Sequence, residues 1–150
     1  MINLEKLLLL KSVTFFSKMP DDVLLETVTS AVKEKAVSQG EQILRKGEIN
    51  STIYIIVSGK VRIHDDEMFI TELSERDIFG ELSALSGLKT VTSVSTLTDC
   101  FFLTIGSDAL YELMGFDVGL SKGIIEALCH RTQLMSSQIR ELLEEKKTKV

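Results

Sequence analysis

The sequence predicts a mainly β fold with helices on both flanks, of the sandwich, jelly-roll or small-barrel kind. Two observations carry that class. Residues 32–105 are rich in β-branched residues cut into short runs by turn residues, with room for about eight strands. On either side, apolar residues recur at helical spacing. The chain has 150 residues, with no internal repeat, no low-complexity tract and no long linker. One domain over 1–150 with a single sizeable core is therefore expected.

Residues 2–12 read as a short amphipathic helix. In "FFSKMPDDVLLETVTSAV", Pro20 suits a first helical turn, and Asp21 and Asp22 suit the positive end of the helix dipole. Val23, Leu24, Thr27, Val28 and Ala31 then share one face, so the N-terminal helices are expected within 2–31. In the β unit, Gly40, Gly47 and Gly59 separate short apolar runs. "IYIIVSGKVRI" reads as a tight hairpin turning at Ser58 and Gly59. Val61 and Ile63 alternate with Lys60, Arg62 and His64, which buries one face of that strand and leaves His64 toward solvent. "HDDE" marks the next turn and "MFITEL" the return strand, while "TSVSTLT" and "CFFLTI" supply two more. Phe15, Phe16, Phe101 and Phe102 are assigned to the core or its edge.

The helical period returns over 107–146. Ser107 suits the N-cap of a first helix and Gly115 its end. A long helix follows over about 117–146. Within it Ile125, Leu128, Thr132, Met135, Ile139 and Leu142 recur at spacings of 3, 4, 3, 4, 3, a heptad seam with one polar break. Such a seam either packs on its own β unit or pairs with a second copy through residues 120–143. "EEKKTKV" is expected to be a solvated, frayed end.

Composition narrows the function. A net charge of −5 argues against a nucleic-acid binder, which needs a basic face to displace counterions. Cys100 and Cys129 form no CxxC pair, and His64 and His130 have no partners at ligand spacing, so no metal site is expected. Free cysteines fit a reducing, cytoplasmic setting. "LLLL" at 7–10 is too short for a membrane span or a signal core. No nucleophile with a base and no carboxylate pair at useful spacing is present, so no enzymatic activity is expected.

The stretch "FGELSALSGLKTVTSV", residues 79–94, carries the chemistry. Gly80 lets backbone approach a ligand closely. Glu81 suits the hydroxyl of a sugar. Residues 82–85 suit one helical turn, whose free N–H groups attract an anion. A ribose phosphate would use both.

At this point the order of motifs resembles the cyclic nucleotide-binding domain family, in its bacterial regulatory-module form. "PDDVLLE", "GEQILRKGE", "IYIIVSGKVRI", "ERDIFGELSALSG" and "TSVSTLTDC" stand in the family's sequence and spacing. The resemblance implies an eight-stranded β-roll flanked by helices, with a phosphate-binding cassette between two strands. It implies cyclic AMP or cyclic GMP as ligand, no other cofactor, and dimerisation through the helix that follows the roll. Carried over, Gly80 and Glu81 stand at the ribose-contacting positions, and Leu82 and Ser83 at the helix N-terminus that binds phosphate. The family's arginine falls on Thr90 and the next backbone donor on Val91, with Thr92 and Ser93 completing the strand entry.

The cation is therefore missing from its expected place. Lys89 is adjacent, but strand alternation sends it to the opposite face. Arg45 and Arg76, on neighbouring turns, stay open as substitutes. Losing one partner of a buried charge pair costs roughly 2–5 kcal/mol, about thirty- to several-thousandfold in affinity. The dipole of a helical turn returns only about 0.3–2 kcal/mol. The expected function is a regulatory cyclic nucleotide-binding-like domain with weakened or absent binding, transmitting through the C-terminal helix. The alternative is a ligand-free interaction or dimerisation module on the same fold, without membrane insertion.

Overall fold

In the computed structural model, residues 1–149 are described. The chain begins with α1 (Asn3–Lys11), a 3-10 turn (Thr14–Phe16) and α2 (Asp21–Ser30). Six strands follow: β1 (Lys33–Val37), β2 (Gln42–Leu44), β3 (Thr52–Ser58), β4 (Val61–Asp65), β5 (Met68–Leu73) and β6 (Ile78–Phe79). A short helix, α3 (Glu81–Ser86), separates them from β7 (Ser93–Thr96) and β8 (Cys100–Gly106). Helices α4 (Ser107–Phe116) and α5 (Val118–Thr148) complete the chain. The strands form two four-stranded antiparallel sheets in the orders β1-β8-β3-β6 and β2-β7-β4-β5. The mainly β class with flanking helices stands.

The run "IYII" is apolar at consecutive positions because β3 is buried on both faces. Ile53 and Ile55 of β3, with Leu103 and Ile105 of β8, face the helices and pack with Phe15, Phe16 and Leu120. Tyr54, Ile56, Phe102 and Phe79 face the second sheet. There Tyr54 stacks on Phe79 at 4.8 Å between centroids, and Phe102 meets both rings edge-on. Burial pushes the Tyr54 phenol above its ordinary pKa.

Ser58 and Gly59 do not turn a hairpin. β3 and β4 lie in different sheets, so the chain crosses the sandwich at this corner. Ser58 stays paired with Phe101 of β8, after a bulge. The Lys60 amide donates to Thr98 Oγ1 at 3.0 Å and its carbonyl accepts from the Leu97 amide at 2.8 Å, so the corner rests on the β7–β8 crossing beside it. Gly59 has φ +95°, and a Cβ there would collide with the Asp99 carbonyl and the Cys100 sulfur. The hairpin forms one strand later, between β4 and β5, around Asp66 and Glu67.

His64 is buried, against the expectation of a solvent-facing ring. It lies on the face of β4 opposite Ile63, and side-chain bonds cover it. Nδ1 lies 2.7 Å from the Asp66 carbonyl and must be the donor, because a carbonyl only accepts; in the neutral ring Nε2 accepts from Ser95 Oγ at 2.8 Å.

Helix ends also depart from the sequence reading. Pro20 is the N-cap of α2. Ser107 is the first residue of α4, and Gly106 precedes it as N-cap. Gly115 lies inside α4, which ends at Phe116. Asp117 closes the junction by accepting from the Leu120 amide at 3.0 Å. α5 has 31 residues, roughly 46 Å at 1.5 Å per residue. Leu120, Gly123 and Ile124 seat its first turns in the core, and every described residue from Thr132 onward is exposed. Within the heptad seam Leu128 packs on the chain's own core, whereas Ile125, Met135, Ile139 and Leu142 are exposed. Helix continues through Thr148 in the tail expected to fray, whose last residue, Val150, lies outside the described residues. No helix among the described residues is long and apolar enough to cross a membrane.

Substituting Gly59→Ala forces a side chain into a left-handed conformation and a filled space. The expected loss is about 2–5 kcal/mol, read as a lower urea midpoint at unchanged m-value.

Candidate functional site

The stretch singled out in the sequence folds as β6, a glycine, one short helix and an irregular return to β7. Phe79 anchors the start through its stack on Tyr54. Gly80 then turns at φ +82°, where a Cβ would strike the Thr52 carbonyl and the Asn50 amide. This glycine allows α3 to leave directly from the sheet. The amides of Leu82 and Ser83 lie in the first turn of α3, where no preceding intrahelical carbonyl is available.

Asn50, which sequence reasoning passed over, braces this turn. Its Nδ2 donates to the Gly80 carbonyl at 2.9 Å and the Thr52 carbonyl at 2.7 Å, while Oδ1 accepts from the Thr52 amide at 3.1 Å. Its own amide donates to Ser83 Oγ at 3.1 Å, and that hydroxyl donates onward to the Leu88 carbonyl at 2.6 Å. The Ser83 hydroxyl therefore holds the cassette in shape, its proton already committed. An asparagine amid turn residues gave little signal beyond "IN" before a β-branched run.

Behind the cassette lies a cavity of about 440 Å³ between α3, β4, β5 and β7. Gly80, Glu81, Leu82, Ser83, Thr90, Val91 and Thr92 all line it. Leu82 and Val91 are exposed at its rim, and apolar side chains such as Leu44, Ile63 and Leu73 form its inner wall. Thr90 is held by backbone and side chain together. Its amide donates to the Glu48 carbonyl at 2.8 Å, its carbonyl accepts from Gly47 at 2.8 Å, and Oγ1 donates to the Arg45 carbonyl at 2.7 Å.

The expectation that Lys89 points away from the cavity is corrected. Residues 87–92 are not a regular strand, and Lys89 makes only an isolated antiparallel bridge to Ile49, so period-two alternation does not apply. Lys89 and Thr90 line the same space. Arg45 and Arg76 do not line it. Arg45 lies outside the second sheet, bonded to Gln42 Oε1 at 3.3 Å, and Arg76 lines a separate cleft beside α5.

The cation at the heart of the site comes from elsewhere. Arg131 of α5 donates from Nη1 to Glu81 Oε1 across 50 residues of sequence and lines the cavity. The Glu81 side chain is only 5% exposed, whereas that of Arg131 is 37% exposed. A buried carboxylate needs a cation, so this pair ties α3 to α5. A second tie runs alongside: Tyr111 Oη of α4 donates to the Leu85 carbonyl of α3. Neither tie was visible in sequence, since Arg131 lies just outside the apolar seam of α5. No group of His, Cys, Asp and Glu that could hold a metal occurs among the described residues.

The model of the cyclic nucleotide-binding domain matches residues 34–115. The chain belongs to the cyclic nucleotide-binding domain family. Two curated relatives show its breadth. The potassium channel AKT2 of Oryza sativa subsp. japonica is 30% identical over 90% of this chain and 16% of its own length. A CRP-like cAMP-activated global transcriptional regulator of Mycobacterium tuberculosis is 24% identical over 79% of this chain and 55% of its own. The chain therefore spans about half or less of these relatives. Among solved structures, the Thermus thermophilus catabolite activator protein superposes with a TM-score of 0.75 at 19% identity, covering 86% of this chain and 62% of that one. It shares the fold of this cyclic nucleotide-binding domain.

The Asn50 brace has a measurable consequence. Asn50→Ala removes three side-chain bonds and is expected to lower stability by about 1–3 kcal/mol. Hydrogen exchange should show the loss concentrated at residues 80–86, faster than in the rest of the roll.

Proposed function

We propose that this cyclic nucleotide-binding domain is a regulatory module that senses a nucleotide, cyclic AMP, cyclic GMP or a relative, with weakened affinity, and transmits through α5. The observation that carries the reading is the direct bond between Glu81 of the cassette and Arg131 of α5. A ligand that enters the cavity and engages Glu81 shares that bond or competes with it, and so biases the packing of the helix. Glu81 would accept from the ribose hydroxyl, the amides of Leu82 and Ser83 would face the phosphate, and Val91 and Thr92 would close the far wall. Thr90, at the position the family gives to an arginine, offers no charge, and its hydroxyl proton is committed to Arg45. The expected penalty is roughly 2–5 kcal/mol relative to a cassette with that arginine. Regulation without catalysis fits the regulator among the relatives. The net charge of −5 supports a small ligand over nucleic acid.

Isothermal titration with cyclic AMP and cyclic GMP tests this. Heat and a thermal shift are expected at high micromolar to millimolar ligand. Silence in both measurements at millimolar ligand would sink the reading. Where binding is seen, the 2′-deoxy analogue is expected to bind about ten- to a hundredfold more weakly, because it lacks the hydroxyl that Glu81 accepts.

A second reading, a ligand-free dimerisation module, draws on the exposed apolar positions of α5. Met135, Ile139 and Leu142 lie beyond the domain's own core, each more than half exposed. We propose pairing of two copies through residues 120–143. Sedimentation should then show a dimer, and Ile139→Glu should shift it to monomer; a wild-type protein that stays monomeric at high concentration would rule this out.

A further inference from the structure

We propose that Arg131 is the ligand-binding cation of this cavity: it neutralises Glu81 when the cavity is empty and takes the anionic group of a nucleotide when it is filled. The inference rests on the reading of the cavity as a nucleotide site, and it assigns the charge of that site to the output helix instead of the cassette.

Three observations lead there. First, the cations that line the cavity among the described residues are Lys89 and Arg131. Lys89 is exposed on an irregular segment, whereas Arg131 is positioned by its bond to a buried carboxylate. Second, the guanidinium has donors to spare. It carries five N–H groups, one of which is used on Glu81 Oε1, and the side chain remains 37% exposed. A planar fork of this kind can hold a carboxylate and a phosphate together. Third, Glu81 alone would repel an incoming phosphate. Paired with Arg131, the inner end of the cavity has no net charge, and the anion meets a guanidinium in place of a bare carboxylate.

The arrangement also couples occupancy to the helix. Arg131 immediately precedes the stretch of α5 that is exposed from Thr132 onward, while Leu120, Gly123 and Ile124 hold the first turns in the core. Sharing or exchanging the Glu81 bond for a ligand bond changes the one polar tie between α5 and the cassette. Cys129, exposed two residues before Arg131, offers a reporter, since Cys100 is buried.

The test compares wild type, Arg131→Gln, Thr90→Arg and the double variant Thr90→Arg/Arg131→Gln by titration with cyclic AMP. Each protein carries an environment-sensitive fluorophore on Cys129. Arg131→Gln should weaken wild-type binding by about tenfold or more. The double variant should bind again, which shows that the loss was one of charge and not of folding. Its fluorophore should no longer respond to ligand, although the wild-type fluorophore does. Undiminished binding by Arg131→Gln would overturn the proposal and leave the nucleotide reading standing. Binding by Thr90→Arg when wild type binds nothing would overturn the proposal and the nucleotide reading of the native cavity together. A fluorophore response that persists in the double variant would overturn the coupling. If neither wild type nor Thr90→Arg binds, the nucleotide reading falls and the proposal with it.

Discussion

The β3–β8 ladder holds two cores at once. Alternate residues of these strands pack the helices on one side and the second sheet on the other, so neither half of the molecule can form its interior without them. Tyr54 shows the consequence for the site. It belongs to the inter-sheet core, yet its ring stacks on Phe79, the last residue before the cassette. The cassette is thereby mounted on the most buried part of the fold, while its far end opens to solvent at Leu88 and Val91.

On that mount, the polar design of the site is economical. Three polar side chains near the cavity already have partners: Asn50 with Gly80 and Thr52, Ser83 with Leu88, Thr90 with the Arg45 carbonyl. What remains chemically expressive is the pair of opposite charges, Glu81 and Arg131. A buried carboxylate needs a cation, and the fold supplies it from α5. The same requirement that stabilises Glu81 therefore links α3 to α5.

Much of this was legible from residue order. "IYIIV" announced a strand, and "FGELSALSG" announced a tight turn, a carboxylate and a helical turn close together. The seven cassette residues converge on one cavity because they are near neighbours in sequence, so local geometry was enough to gather them. The failures have different causes. Ser58 and Gly59 look like a hairpin turn, but the chain crosses to the other sheet, and local turn chemistry is the same for both. His64 looks like the polar side of an alternating strand, yet Ser95 and the Asp66 carbonyl enclose it. Lys89 was assigned by strand alternation to a segment that is not a strand.

Sequence by itself determined the class of fold, the place of the turn and short helix after β6, the absence of an arginine at position 90 and the apolar positions of α5. These follow from periodicity, turn residues and near-neighbour spacing, which act over a few residues. Only tertiary structure decided which sheet each strand joins and which cation faces Glu81. Arg131 lies 50 residues from its partner, on a helix whose rotation is set by Leu120, Gly123 and Ile124 in the core. Packing, not local pattern, brings those two charges together.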